Sequence, residues 1–485
     1  CDRRSDHPAP PHPRLGTRRV IAGIVPAHGI GGRADLPLPG EVVLQAGGFV
    51  VLVSFLAVGL LWQTPRFGVD GSGVDGTDGG ARRGRALPGF FQRMADSAAL
   101  RTTLRWAVLA LLAYVVIGAF AGPEQVNLNP APRALYVLLW VGVVPASLLL
   151  GPVWRVLNPL RALHAGLVRV SGIRVTGMRA LPERLGYWPA ALGLAVFVWL
   201  ELVPDDRAEP AVVGWFLLGY VVLVTAGAVV FGELWFERGD PFEVYSTLIA
   251  GLAPIGRAAD GTVVVRNPLR GLAAVAPAPG LVAVLAVWWG STVFDGVSGT
   301  TFWVNWLNTV PARDLVASAL LLALCGIVGA SYRLATGAMA GSLVTTLVPI
   351  AVGYSIAHYA SLLLTEGPRG LGLLLGLTVA PGRPAPLLIA AIQVTAILVG
   401  HVAGVVAAHD RVLALAAAPP ATSTVRPRSG AALAAGRPTT SDASTTADTP
   451  IGASHSAGRR LADQVPLVLI MIVYTMVGLY LLVIA

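Results

Sequence analysis

The sequence predicts an all-α fold, a polytopic transmembrane helix bundle, from three observations. Hydrophobic residues fill 55% of the 485 positions and charged residues only 13%, with a mean hydropathy of +0.69. That is more apolar surface than a soluble domain of this length hides. Apolar runs of about 20 residues, the length that crosses ~30 Å of hydrocarbon, recur along the chain. All 35 basic residues are Arg, and they lie between those runs rather than on one face. That placement fits membrane topology and argues against nucleic acid as a partner.

Taken in order, ten segments meet the length criterion: 41–62, 104–122, 134–153, 188–203, 212–231, 280–294, 314–330, 342–364, 386–407 and 465–485. The fourth and sixth are short, as tilted or interrupted spans are. With the N-terminus outside, alternation assigns 63–103, 154–187, 232–279, 331–341 and 408–463 to the cytoplasm, and these loops hold 23 Arg. The outer loops 123–133, 204–211, 295–313 and 365–385 hold 5. This bias supports ten spans with both termini outside. Lipid is then the first partner, and the absence of Lys with richness in Ala, Gly, Val and Leu points to the plasma membrane of a bacterium with a GC-rich genome.

Four regions follow: a signal-like, Gly-rich outer segment at 1–40, the main bundle at 41–407, a cytoplasmic loop at 408–463 and a last span at 464–485. Residues 68 to 80, GVDGSGVDGTDGG, resemble a calcium loop superficially but lack its closing Glu, and read as a flexible linker. The Ala-, Pro-, Ser-, Thr- and Arg-rich stretch 417–463 cannot bury a core and is expected to be disordered. No internal repeat of the kind seen in duplicated transporters stands out. Cys1 and Cys325 are the only cysteines, so no disulfide framework or Cys-based metal site is available.

Near the start, Arg14, Arg18 and Arg19 precede the apolar Val20 to Val25 and then Pro26-Ala27, the order of a short signal sequence. Cleavage after Ala27 places His28 first, where its amine and imidazole together chelate a metal. Otherwise His28 is a polar residue on the approach to the first span. The topology gives every ionisable group in a span a depth. Glu201 in WLELV, Asp295 in STVFDG, and His358 with Tyr359 in SIAHYASLLL all fall toward the outer side, while Asp35 and Glu41 flank the first span. Ionisable groups in hydrocarbon are costly and mark function by default. His28, Asp35, Glu201, Asp295 and His358 supply the ligand types of a divalent ion such as zinc or copper. The structural alternative pairs Glu201 and Asp295 with Arg133, Arg313 or backbone donors.

A second polar set lies on the inner side: Glu233, Glu237, Arg238, Asp240 and Glu243 in GELWFERGDPFEVY, with Arg238 and Arg257 expected to balance the acids. The stretch after Pro241 is expected to re-enter or to lie along the interface. His401 sits in the inner half of the ninth span, and His409, beside Asp410 and Arg411, reads as a surface residue.

The segments HGIGGRADLPLP, WLELV, LWFERGDPFEVYSTL, STVFDG, LVPIAVGYSIAHYASLLL and VGHVAGVVAAHDR resemble a group of polytopic actinobacterial membrane proteins that carry the name fenitrothion hydrolase. The resemblance spans roughly residues 27 to 411 and the last span, and it carries over no catalytic residues. It implies hydrolysis of a small neutral aryl phosphotriester. A bound metal ion supplies the activated water and Lewis acid that such chemistry needs. No HxH, HExxH or GxSxG spacing accompanies it. Two other classes share the same residues: a copper- or haem-handling membrane protein, and a transporter with Glu201, His358 and His401 on a proton or substrate path. From their positions in the spans, His358 and His401 differ in depth by roughly 14 Å, too far for one haem.

Overall fold

Asparagine, aspartate and proline decide where several helices begin. The computed structural model describes residues 40–67, 84–172, 177–417, 465–478 and 480. In it, Asn158 accepts from the Leu160 amide at 3.0 Å and Asp240 from the Phe242 amide at 3.0 Å, each immediately before a proline. The side chain satisfies an amide that the helix leaves open, and proline sets φ for the first turn. Gly232, at φ 74°, ends another helix in a conformation that Gly adopts without steric cost.

The helices are α1 (Gly40–Leu61), α2 (Gly89–Asp96), α3 (Ala98–Ala121), α4 (Ala131–Leu150, with a π-helical stretch over Ala134–Val141), α5 (Val153–Leu157) and α6 (Pro159–Ser171). They continue with α7 (Trp188–Leu202), α8 (Pro210–Phe231), α9 (Leu234–Arg238), α10 (Pro241–Ala250), α11 (Leu281–Ser298), α12 (Thr301–Leu307) and α13 (Arg313–Thr336). The last are α14 (Val348–Leu374), α15 (Pro386–Ala417) and α16 (Val465–Gly478). Among the described residues, six helical stretches are long and apolar enough to cross a membrane, one of them the 62-residue run Arg313–Leu374 that contains both α13 and α14. Shorter apolar helices cover Gly47–Leu61, Trp188–Leu202 and Val465–Gly478. The protein is an all-α membrane bundle at this level.

One small sheet departs from the all-helical expectation. Strands β1 (Arg85–Ala86), β2 (Ile255–Arg257) and β3 (Val263–Val265) form an antiparallel sheet in the order β1-β3-β2, with Arg85 and Ile255 on either side of Val265. Strands of two or three residues, set in loops, are too short for alternation to reveal, even where one of them is the Val263–Val265 run.

Small residues bring the long helices together. A Cβ on Gly353 of α14 lies only 2.4 Å from the Ala396 carbonyl of α15, and one on Gly400 only 2.6 Å from the Pro349 carbonyl. In a membrane, helices gain association from such backbone contact, since lipid offers no hydrophobic drive between them. Met476 of α16 reaches Gly48 of α1, and the Trp289 and Tyr474 rings meet at 4.7 Å, which seats the last helix on the bundle.

The Tyr187 amide donates to the Pro279 carbonyl at 2.7 Å, so α7 and α11 start side by side and run parallel. Glu201 and Asp295, each near the far end of its helix, therefore share a depth of roughly 20 Å along the axes. This is the Glu201 end of the bundle; the other is the Arg161 end.

Several boundaries differ from the sequence reading. α14 runs on to Leu374, ten residues past the expected limit of 364, because its Glu366 is neutralised by Arg133 at 2.7 Å. α15 continues to Ala417, so residues 408–417 are helical rather than part of a loop. Residues 68–80, most of 417–463 and the segment before 40 lie outside the described residues.

Candidate functional site

Three helices converge at the Glu201 end. α7 brings Glu201, α11 brings Asp295, and α14 brings His358 and Tyr359, whose adjacent positions aim their side chains at different neighbours. His358 donates from Nε2 to Asp295 Oδ2 at 2.5 Å. Tyr359 donates its hydroxyl to Glu201 Oε1 at 3.3 Å. All four are buried, Asp295 at 0% exposure. Depth in the sequence had placed Glu201, Asp295 and His358 on one side of the membrane, and the structure joins them in one cluster.

The cluster's counter-charge comes from a residue that the sequence reading passed over. Arg207, buried in the turn between α7 and α8, exerts its charge on both Glu201 and Asp295, and its backbone carbonyl accepts from the Tyr136 hydroxyl at 2.8 Å. Burial pulls its guanidinium pKa down, while the negative charges around it oppose that change. The expected alternatives are engaged elsewhere. Arg133 pairs with Glu366, and Arg313 pairs with Asp205. Aromatic rings close the cluster on the interior side: Tyr354 stacks on His358 at 5.9 Å, and Trp140 lies edge-on to Tyr359 at 6.5 Å.

His28 and Asp35 lie outside the described residues. Among those described, no group of three or more His, Cys, Asp or Glu side chains is arranged to hold a metal ion. Asp295 and His358 spend their facing atoms on each other, and Glu201 spends one oxygen on Tyr359, so the three do not converge on a common ion as they are placed. His401 is buried and donates from Nδ1 to the Ile397 carbonyl at 2.7 Å, which leaves Nε2 as an acceptor. The Gly353–Gly400 contact sets the register of α14 against α15, and puts His358 and His401 about six residues apart along the axis, roughly 9 Å. That offset is smaller than the roughly 14 Å expected from the sequence.

A second buried cluster occupies the Arg161 end, and it corrects the expected balance of charge there. Arg161 of α6 donates to Glu243 from Nε at 3.0 Å and from Nη2 at 2.5 Å, and it also pairs with Glu233. Asn158 Nδ2 donates to Asp240 Oδ2 at 2.8 Å and to Glu243 Oε2 at 2.9 Å, so one amide group clamps two carboxylates. The Tyr220 hydroxyl donates to Asp240 at 3.0 Å. Asp240 and Glu243 have 0% exposure and do not reach water. Arg257 pairs instead with Asp96 at 2.7 Å, and Arg238 stacks over the Tyr187 ring at 4.7 Å. Burial and the neighbouring Glu243 push the Asp240 carboxyl up to about 7, against the hydrogen bonds it accepts from Tyr220, the Glu243 amide and Asn158. His164, also buried, stands 3.5 Å from Glu233. The helix after Pro241 is neither interfacial nor exposed, since Phe242, Val244 and Tyr245 are all buried in protein. His409, expected at the surface, is buried and donates to the Trp62 carbonyl at 2.9 Å, while Asp410 accepts from the Phe67 amide at 3.0 Å.

The chain matches no protein-family profile, no curated protein and no solved structure.

Proposed function

We propose that the protein is a multi-pass protein of a bacterial plasma membrane, with ten spans and both termini outside, that works by exchanging protons at Asp295 and His358. The observation that carries this reading is the 2.5 Å contact between Asp295 and His358, buried in the bundle beside Glu201 and Tyr359. A carboxylate, an imidazole, a phenol and a second carboxyl in a water-poor interior are the parts of a proton relay, and ionisable groups placed there mark function by default. Coupling such a relay to a small solute makes the protein a transporter. Asp295 orients the imidazole and holds its proton on Nε2, while Tyr359 links it to Glu201.

A second reading uses the same pair as a general acid and base in hydrolysis of a neutral phosphotriester. It is favoured by the resemblance described above together with the carboxylate-oriented imidazole, an arrangement suited to activating water. In that reading a divalent metal needs His28 and Asp35 in addition to the described side chains, and needs Asp295 and His358 to part.

Proteoliposomes carrying a trapped pH-sensitive dye separate the two. Proton movement that is lost in Asp295→Asn and His358→Gln and kept in His401→Ala supports the relay. Equal proton movement in wild type and both variants overturns it. Release of the phenol from fenitrothion by wild type, and not by His358→Gln, favours the hydrolase.

A further inference from the structure

α2 has two opposed faces, and none of its residues is buried. Phe90, Phe91 and Met94 are 61%, 44% and 44% exposed, and their spacing gathers them on one side of the helix. The other side is tied to the small sheet. Gln92 donates to the Val263 carbonyl at 2.6 Å and accepts from its amide at 2.8 Å, and Asp96 pairs with Arg257 at 2.7 Å. These ties hold α2 in place and turn the aromatic side away from the sheet.

Where that side faces follows from the next helix. Ser97 ends α2 and at once caps α3, accepting from the Leu100 amide at 3.1 Å. α3 is one of the helices long enough to cross a membrane, and its Leu100 and Trp106 stay exposed on the outside of the bundle. The apolar side of α2 thus adjoins, through Ser97, the start of a helix whose exposed apolar residues face away from the bundle. At eight residues, roughly 12 Å, α2 is far too short to span and suits a position in the plane of the interface. Exposed Arg93 lies on α2 next to the apolar residues, and exposed Arg85 lies four residues before α2 begins, so positive charge that attracts anionic headgroups is close in the chain.

We propose that α2 and the three-stranded sheet form a lipid-binding platform: Phe90, Phe91 and Met94 enter the upper acyl region of the leaflet, and Arg85 and Arg93 engage anionic phospholipid headgroups. The occupant is the bilayer rather than a soluble partner because α2 leads directly, through Ser97, into a helix long and apolar enough to cross a membrane. This inference stands apart from the proton relay and does not depend on it.

The test uses the full chain with Cys1 and Cys325 changed to Ser, carrying a bimane label on Phe90→Cys, Met94→Cys or Asp260→Cys. The protein is reconstituted in phosphatidylcholine vesicles with or without phosphatidylglycerol. Lipid brominated high on the acyl chain should quench the labels at 90 and 94, while aqueous iodide should quench the label at 260. Phosphatidylglycerol should increase the lipid quenching, and Arg85→Gln with Arg93→Gln should abolish that increase. Iodide reaching 90 and 94 as readily as 260 overturns the proposal. So does a quenching increase that survives the double Arg change, or self-quenching that grows with protein density and marks a second copy as the occupant.

Discussion

Arg161 and Glu243, 82 residues apart in the chain, meet in a two-point contact of 3.0 and 2.5 Å with the carboxylate wholly buried. This pair fixes α6 against α10 and with it the whole Arg161 end. A buried ion pair adds little over apolar packing, yet losing one member leaves a charge with no partner.

Arg161→Gln should therefore destabilise the protein by about 3–5 kcal/mol, and Glu243→Gln by a similar amount. The pair of changes Arg161→Met with Glu243→Met should recover much of that loss. Thermal loss of the monodisperse peak in detergent checks both statements. A double variant as unstable as either single change would show that the pair contributes more than mutual neutralisation.

Asp240 gives the Arg161 end a dependence on pH. Its carboxyl is pushed up to about 7, above its ordinary value, so the folded protein binds a proton there more tightly than the unfolded chain does. The stability it contributes is fully present below the ordinary Asp range and is lost as pH rises through about 7. Asp240→Asn should flatten that slope between pH 5 and 8, a window chosen to bracket the raised value. Tyr220→Phe removes a donor to the carboxylate and should move the midpoint further up. Thermal stability scanned against pH reads both shifts, and an unchanged slope in Asp240→Asn would refute the assignment.

Much of this was legible in the sequence, and the failures have physical causes. Apolar runs located the long helices, and depth alone brought Glu201, Asp295 and His358 to one side, because each depth follows from counting residues in a span. The Arg161 cluster escaped because Arg161 counts, by the positive-inside rule, as an ordinary cytoplasmic loop charge. Nothing in NPLRALH reveals that Asn158 and Arg161 fold back onto Asp240 and Glu243. Arg207 was hidden in the same way, as one charge in a short outer loop. The end of α14 was misplaced because hydropathy penalises Glu366, and only tertiary structure supplies the Arg133 that cancels its charge.

The close approach of α14 and α15 makes a further test. Gly353→Leu should separate the helices, since even a Cβ there lies 2.4 Å from a backbone oxygen that cannot step aside. The cost should fall among the larger single-residue effects, on the order of 3 kcal/mol or more, because overpacking meets backbone rather than a mobile side chain. Gly219→Leu, where a Cβ meets nothing within 4 Å, is the control and should be close to neutral. Folded yield after detergent extraction compares the two, and equal yields would contradict the packing described.

The last prediction concerns the coupling of Asp295 to His358. If they act as one proton-exchanging unit, either single change removes the unit, and the second change finds little left to remove. Asp295→Asn and His358→Gln should each suppress dye-reported proton movement, and the double variant should fall short of their multiplied effects by an interaction of about 0.5–3 kcal/mol. Glu201→Gln, whose hydrogen bond goes to Tyr359 while its charge also acts on Asp295, should show a smaller interaction with either change than the two changes show with each other. A purely structural contact predicts a different pattern. These variants would then lose thermal stability in proportion to their loss of proton movement, and His358→Gln, still able to donate to Asp295, would lose the least of both. Stability retained while proton movement is lost separates a working pair from a structural one.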